Sequence, residues 1–216
     1  MSIREHTFAD KVIGVVDTFL RHAAQTPSSS SDGRKSPAQP VQDDNLSPEQ
    51  RKHSAALMRV NHAGEVAAQA LYKGQAFVAR QPEVSARMQE AAKEEEDHLV
   101  WCSQRLVELN SHTSYLDPVW FMGSFAIGIA AGLAGDKWSL GFIAETEDQV
   151  IAHLNDHLKQ LPADDQKSRA ILEQMREDEA HHGHMAMECG GEVLPSLVRR
   201  AMQIPAKIMT TLAYYW

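Results

Sequence analysis

The chain has 216 residues, of which 43% are hydrophobic and only 6% aromatic, and it carries a formal net charge of −8. That length and apolar content suffice for one sizeable core and are most simply one domain. The negative balance speaks against nucleic acid as a partner, because phosphate binding needs a basic footprint.

In chain order, residues 8–23, "FADKVIGVVDTFLRHA", predict a short amphipathic helix with Phe8, Val12, Val15, Val16, Phe19 and Leu20 available to one face. Asp10 and Asp17 interrupt the apolar run, which argues against a secretory signal, and together with Glu5 they argue against a mitochondrial transit peptide. A Ser/Pro-rich stretch follows that reads as a flexible linker with no means of burying a core. The expected organisation is therefore a helix within 1–25, a linker over 26–46 and a helical-bundle domain over 47–216. Ser47-Pro48-Glu49-Gln50 opens that domain as a capping box with Pro at the first helical position. Long stretches rich in Ala, Glu, Leu and Gln then predict helices over 48–79, 83–110, 118–134, 137–161, 166–189 and 194–214, broken at Pro82, Pro118, Gly135, Pro162 and Gly190-Gly191. The fold class is all-α.

Within the second of these helices, the knot "EEEDH" at 94–98 looks like a solvated face, but helical spacing divides it. Val84, Met88, Ala91, Glu95, His98, Cys102, Leu106 and Leu109 step by three or four along one seam, whereas Glu94, Glu96 and Asp97 lie off it. In the fifth helix, Leu172, Met175, Glu179, His182, Ala186 and Cys189 form a second seam of the same kind. Both seams carry an inward Glu-x-x-His, and the pairs are 84 residues apart at both members (95 to 179, 98 to 182). A carboxylate and an imidazole in an apolar seam are costly unless paired or bound to a metal. The ferritin-like carboxylate template needs two such helices and one Glu from each of two more. Glu65 and Glu147 occupy those places, 30 residues before Glu95 and 32 before Glu179. Glu147 lies on a seam with Leu140, Ile143, Val150, Leu154 and Leu158. The predicted metal ligands are thus Glu65, Glu95, His98, Glu147, Glu179 and His182, the four glutamates also being the candidate catalytic carboxylates. A bundle with a buried ion-pair network is the competing reading, and four acids against two histidines make it electrostatically poor. Carboxylate with imidazole suits iron or manganese, and four carboxylates would neutralise two divalent ions. Glu95 and Glu147 are the candidates to bridge them.

Residues 118–135, "PVWFMGSFAIGIAAGLAG", hold 18 residues without a charge, at the lower limit for spanning a bilayer. Two readings stay open: a buried connector using Gly128-x-x-x-Gly132 for close packing, or a membrane-contacting element. The last segment, with Arg199, Arg200 and Lys207, no acid, and a Tyr214-Tyr215-Trp216 end, is of the type that lies in a membrane interface. Both cysteines, Cys102 and Cys189, stand on seams and read as reduced core residues.

Asn61-His62-Ala63-Gly64-Glu65, the two Glu-x-x-His pairs, "ETEDQVIAHLNDH" around Glu147 and the Gly/Ala-rich apolar segment together resemble the 5-demethoxyubiquinone hydroxylase family, in its bacterial form with a longer amino end. The resemblance covers roughly residues 48–216. It implies a ferritin-like four-helix bundle with additional apolar helices for membrane contact, two iron ions held by the six residues above, and a mono-oxygenase that uses O2 on the ring of a demethoxyquinone. It further implies NADH as electron source; the sequence carries no Gly-rich dinucleotide fingerprint, and a partner reductase or the quinol itself is the alternative reductant. The expected partners are a polyprenylated quinone or quinol, a membrane surface and other ubiquinone-synthesis proteins, with no nucleic acid. The expected location is peripheral, on the cytoplasmic face of a bacterial inner membrane. Animal members have Tyr-Asn where this chain has Leu154-Asn155, so a role for that tyrosine does not carry over. An iron store, a tRNA-modifying di-iron hydroxylase, a manganese catalase and a helical scaffold are the alternatives.

Among other polar residues, Glu94 and Asp178 each precede a ligand Glu and are candidates to orient an imidazole. His62, three before Glu65, is a candidate outer partner. His153 is set too far around its helix from Glu147 to ligate, and His112, His157, His181 and His184 read as surface or loop residues. The quinone ring is expected to reach the metals through an apolar opening near Phe121–Leu133, with Phe125 and Ile129 facing the bilayer.

Overall fold

The computed structural model describes residues 33–42 and 45–216, and from the amino end only Ile13, Gly14, Val16, Asp17 and Leu20. Those five are helical, and the rest of the helix expected within 1–25 lies outside the described residues. Among the described residues from 33 onward there is no strand. The helices are α1 (Pro48–Val78), α2 (Pro82–Glu108), α3 (Asp117–Leu133), α4 (Asp136–Gln160), α5 (Gln166–Glu188) and α6 (Ser196–Tyr215). These bounds fall within a residue or two of those expected, with the capping box at Ser47 formed in both directions.

α1 pairs with α2 and α4 with α5, and lesser contacts of α1 with α4 and α2 with α5 close the four into a ring. α3 crosses from one pair to the other along α1, and α6 also lies mainly against α1. Side chains from all four ring helices fill one core layer, including Leu57, Met58, Trp101, Leu106, Leu154, Leu172 and Met175. A second layer contains Ala68, Tyr72, Met88, Ala91, Leu140, Ile143 and Ala186. On each helix the predicted polar residues fall in sequence between the members of these layers, so a polar stratum is sandwiched between two apolar ones.

The Gly/Ala-rich α3 packs closely on α1. A Cβ at Gly128 would strike the Leu71 carbonyl, and one at Gly74 would strike that of Phe125. The close-packing reading of Gly128-x-x-x-Gly132 therefore holds for this face. Phe125 and Ile129 are partly buried, while Met122 and Ile127 are exposed, so the pair expected to face outward is corrected by the rotation of the helix against α1. Among the described residues, no helix is long and apolar enough to cross a membrane.

Two further expectations are corrected. The linker expected to bury nothing has Ser36 and Ala38 buried, Ala38 as part of the first core layer. Cys102 is buried as expected, but Cys189 is exposed, because α5 ends at Glu188 and its seam runs on past the helix.

Candidate metal centre

Glu65 on α1, Glu95 and His98 on α2, Glu147 on α4, and Glu179 and His182 on α5 are all buried. The α2 seam is buried along its whole length from Val84 to Leu109, which brings Glu95 and His98 inward. One ligand-type atom from each of Glu65, Glu95, His98 and Glu179 lies within 4.8 Å of the others.

The two histidines turn the same nitrogen inward. His98 Nδ1 is 3.0 Å from Glu95 Oε2, 3.2 Å from Glu179 Oε1 and 3.3 Å from Glu65 Oε2. His182 Nδ1 is 3.1 Å from Glu179 Oε2 and 3.5 Å from Glu95 Oε1. Glu95 and Glu179 thus each reach both imidazoles and occupy the centre. Glu147, expected beside Glu95 as a bridging carboxylate, lies to one side, where its Oε1 accepts from the Tyr72 hydroxyl.

The outer nitrogens are held crosswise. His98 Nε2 is 2.9 Å from Asp178 Oδ2 on the opposite pair of helices, and His182 Nε2 is 2.5 Å from Glu94 Oε2. The role expected of Glu94 and Asp178 is present, with each serving the histidine of the other half. A carboxylate on the outer nitrogen fixes the ring orientation and leaves Nδ1 to the interior. His62 instead lies 3.3 Å from Asp117 Oδ2 at the start of α3, bracing α3 against α1.

Charge is crowded here. Burial, then the Glu179 charge, raises Glu95 well above the ordinary carboxylate range, and the same two causes act on Glu147. Burial pushes Glu179 in the same direction, but hydrogen bonds with His182 and His98 outweigh it and bring it down to about 2. Burial alone would depress His182, and its hydrogen bond to Glu179 overrides this, raising it to about 9. Glu95 Oε1 and Glu147 Oε2 are buried and, among the described residues, have no hydrogen-bond partner. Buried carboxylate oxygens without a hydrogen-bond partner suit a bound cation, and a donor set of carboxylates and imidazoles fits a divalent metal ion of the iron or manganese type.

Beside the cluster is a cavity of about 990 Å³, floored by α1 and α4 and walled by α3 and α6. Glu65 lines its inner end, and Trp120, Ile127, Phe142, Val150 and Ile208 are among its apolar lining. His153 also lines it. His157, expected at the surface, is buried, its Nδ1 2.9 Å from Asn61 Oδ1 and its ring tilted against that of His153 with centroids 3.8 Å apart. Burial lowers both, His153 to about 4 and His157 to about 3. His181 and His184 are exposed.

Tyr72 was not singled out from sequence. The signal was there: it follows Glu65 by seven residues, two turns along the same face.

A four-helix bundle with a buried layer of Glu and Glu-x-x-His is the architecture of the carboxylate metalloproteins. Within that class, the family model described as "Ubiquinone biosynthesis protein COQ7" matches residues 52–213, and the chain belongs to that family. Similar proteins named 3-demethoxyubiquinol 3-hydroxylase include one of Acinetobacter baumannii, 53% identical over 99% of this chain and 100% of that protein. Another, of Nitrosococcus oceani, is 54% identical over 95% of each chain. A third, of Legionella pneumophila, is 51% identical over 99% of this chain and all of that protein.

Proposed function

We propose that this chain is a mono-oxygenase that hydroxylates the ring of a demethoxyubiquinol in ubiquinone synthesis, built as a ferritin-like bundle that holds two iron ions through Glu65, Glu95, His98, Glu147, Glu179 and His182. The observation that supports this reading is the buried cluster of Glu65, Glu95, His98 and Glu179, with His182 against Glu95 and Glu179 and with Glu147 buried on the neighbouring helix, in a chain whose relatives bear the hydroxylase name. Bound there, iron would supply the dioxygen chemistry that no side chain performs alone. In the overall reaction a ring C–H becomes C–OH, the second oxygen atom leaves as water, and NADH or another reductant provides the electron pair.

The chain's own residues do the rest. Asp178 and Glu94 orient the imidazoles, Tyr72 holds Glu147, and Leu and Met layers above and below exclude water. The apolar cavity reaching Glu65 matches a quinol ring better than it matches inorganic iron in transit, which favours an organic substrate over iron storage. Its walls, α3 and α6, expose Met122, Ile127, Leu197, Ile204, Ile208 and Trp216, and the same helices carry exposed Arg199, Arg200 and Lys207. Such a surface supports peripheral binding to the cytoplasmic face of a bacterial inner membrane, from which a polyprenylated substrate would enter.

Iron content and product formation test this directly. Wild type should hold about two irons per chain, and Glu179→Ala should lose both and drop turnover more than about 100-fold, since even outer partners of metal ligands are worth about 10–100-fold. Retention of both irons in that variant would remove Glu179 from the ligand set. Replacing Met122 and Ile127 with Asp should release the protein from anionic vesicles while iron content stays unchanged.

A further inference from the structure

Arg34 belongs to the segment before the bundle, yet its side chain closes over the outer side of the His98 half-site. Its Nη2 donates to Asp178 Oδ2 at 2.8 Å, its Nε to Asp97 Oδ2 at 3.0 Å, and its backbone N–H to Asp97 Oδ1 at 3.2 Å. Asp178 Oδ2 is the same atom that faces His98 Nε2 at 2.9 Å. Trp101, whose ring centroid is 5.4 Å from that of His98, donates its indole N–H to the Arg34 carbonyl at 3.2 Å. The guanidinium also lies 4.9 Å from the Trp101 ring centroid. Asp97 is on α2 and Asp178 on α5, so one planar cation ties the two helices together at the level of His98. Among the described residues, no cation braces Glu94, the counterpart of Asp178, whose side chain is 44% exposed.

We propose that Arg34 is a positioning residue for the metal centre: by pinning Asp178 against His98 Nε2, it keeps His98 Nδ1 aimed at the inner carboxylates and makes the metal beside His98 the more slowly released of the two. This rests on the two-metal reading above. The physical reason is that an outer carboxylate orients a ligand imidazole only as well as it is itself held. A carboxylate near the surface can turn to water, and a fork of two N–H groups shared with Asp97 removes that freedom. Because the Arg34 side chain is 45% exposed, its ion pairs add little to stability by themselves, and the effect is one of geometry.

The test uses the full-length protein loaded anaerobically with iron(II) and then mixed with a chromogenic iron(II) chelator. Wild type should release its metal in two phases of equal amplitude. Arg34→Ala should speed the slow phase about tenfold and leave the fast phase unchanged, the size expected for loss of an outer-sphere contact. Arg34→Lys, which keeps the charge without the fork, should recover part of the difference. Glu94→Gln should speed the fast phase alone. Circular dichroism and thermal melting of the apoproteins check that the variants fold alike. If Arg34→Ala speeds both phases equally, the segment braces the whole bundle, and if the slow phase does not move, Arg34 is a surface clasp; either result overturns the proposal. A wild type holding fewer than two irons would instead overturn the two-metal reading, and would be seen before any variant is made.

Discussion

The α1–α2 half and the α4–α5 half of the bundle carry the same inward pattern, one Glu and one Glu-x-x-His, but their surroundings differ. α3 and α6 both lie mainly along α1, so the first half is roofed by helices that also wall the cavity. Among the described residues neither α3 nor α6 lies mainly on the second half, and its α4 brings together His153 and the buried His157, whose rings lie 3.8 Å apart between centroids. The halves also complete each other. Asp178 of the second serves His98, Glu94 of the first serves His182, and Tyr72 of the first holds Glu147. A repeated pattern can place the ligands symmetrically, while the contacts around them give each half its own environment.

The roof is the difference whose removal should cost most. Gly128→Val sets a branched side chain against the Leu71 backbone, which has no rotamer to yield, so α3 must move off α1. The expected loss is about 3 kcal/mol, the upper part of the range for overpacking, measured by urea unfolding. A loss below about 1 kcal/mol would mean that α3 sits loosely on the first half and that the comparison overstates its role.

The buried histidines of α4 should show in the pH dependence. Their folded values, about 4 and about 3, lie below the ordinary 6.5, so the unfolded chain takes up protons first as the medium is acidified. Their contribution to stability is therefore fully present above about pH 6.5 and is lost as pH falls below it, at about 1.4 kcal/mol per pH unit for each. His157→Gln removes one of these, so the stability of the variant relative to wild type should rise by about 1 kcal/mol between pH 6.5 and pH 5.5, where the full slope is not yet reached. A constant difference would show that His157 titrates normally, in contact with water. The smallest effect is expected for Tyr72→Phe, which removes the hydroxyl that donates to Glu147. It should cost the apoprotein about 1 kcal/mol, and a gain in stability would sink the assignment of that contact.

The buried polar stratum was legible because helical periodicity is local. Glu95 and His98 stand at three- and four-residue steps among Val84, Met88, Cys102 and Leu106, and any helix that buries those side chains must bury Glu95 and His98 as well. The capping box at Ser47 and the helix bounds rest on neighbours a few residues away and were legible for the same reason. Cys189 shows the limit of that rule. Its spacing continues the α5 seam, but the helix stops before it and the residue is exposed.

What the sequence could not give were the contacts between distant parts of the chain. His157 stands three residues after Leu154 on the inward side of α4, but its buried partner, Asn61, is far away in sequence. Phe125 faces inward and Ile127 outward because Gly74 and Gly128 set the rotation of α3 on α1. Arg34 lies in a stretch whose composition reads as solvated linker, and its place over Asp97 and Asp178 exists only because α2 and α5 bring those two carboxylates together. The sequence by itself determined the all-α class, the repeat and the six inward Glu and His residues, since a side chain's position around its own helix follows from a fixed 100° step per residue. Only the tertiary structure decided which carboxylates stand at the centre, which outer groups hold each imidazole and where the cavity opens, because those depend on how separate helices are rotated against one another.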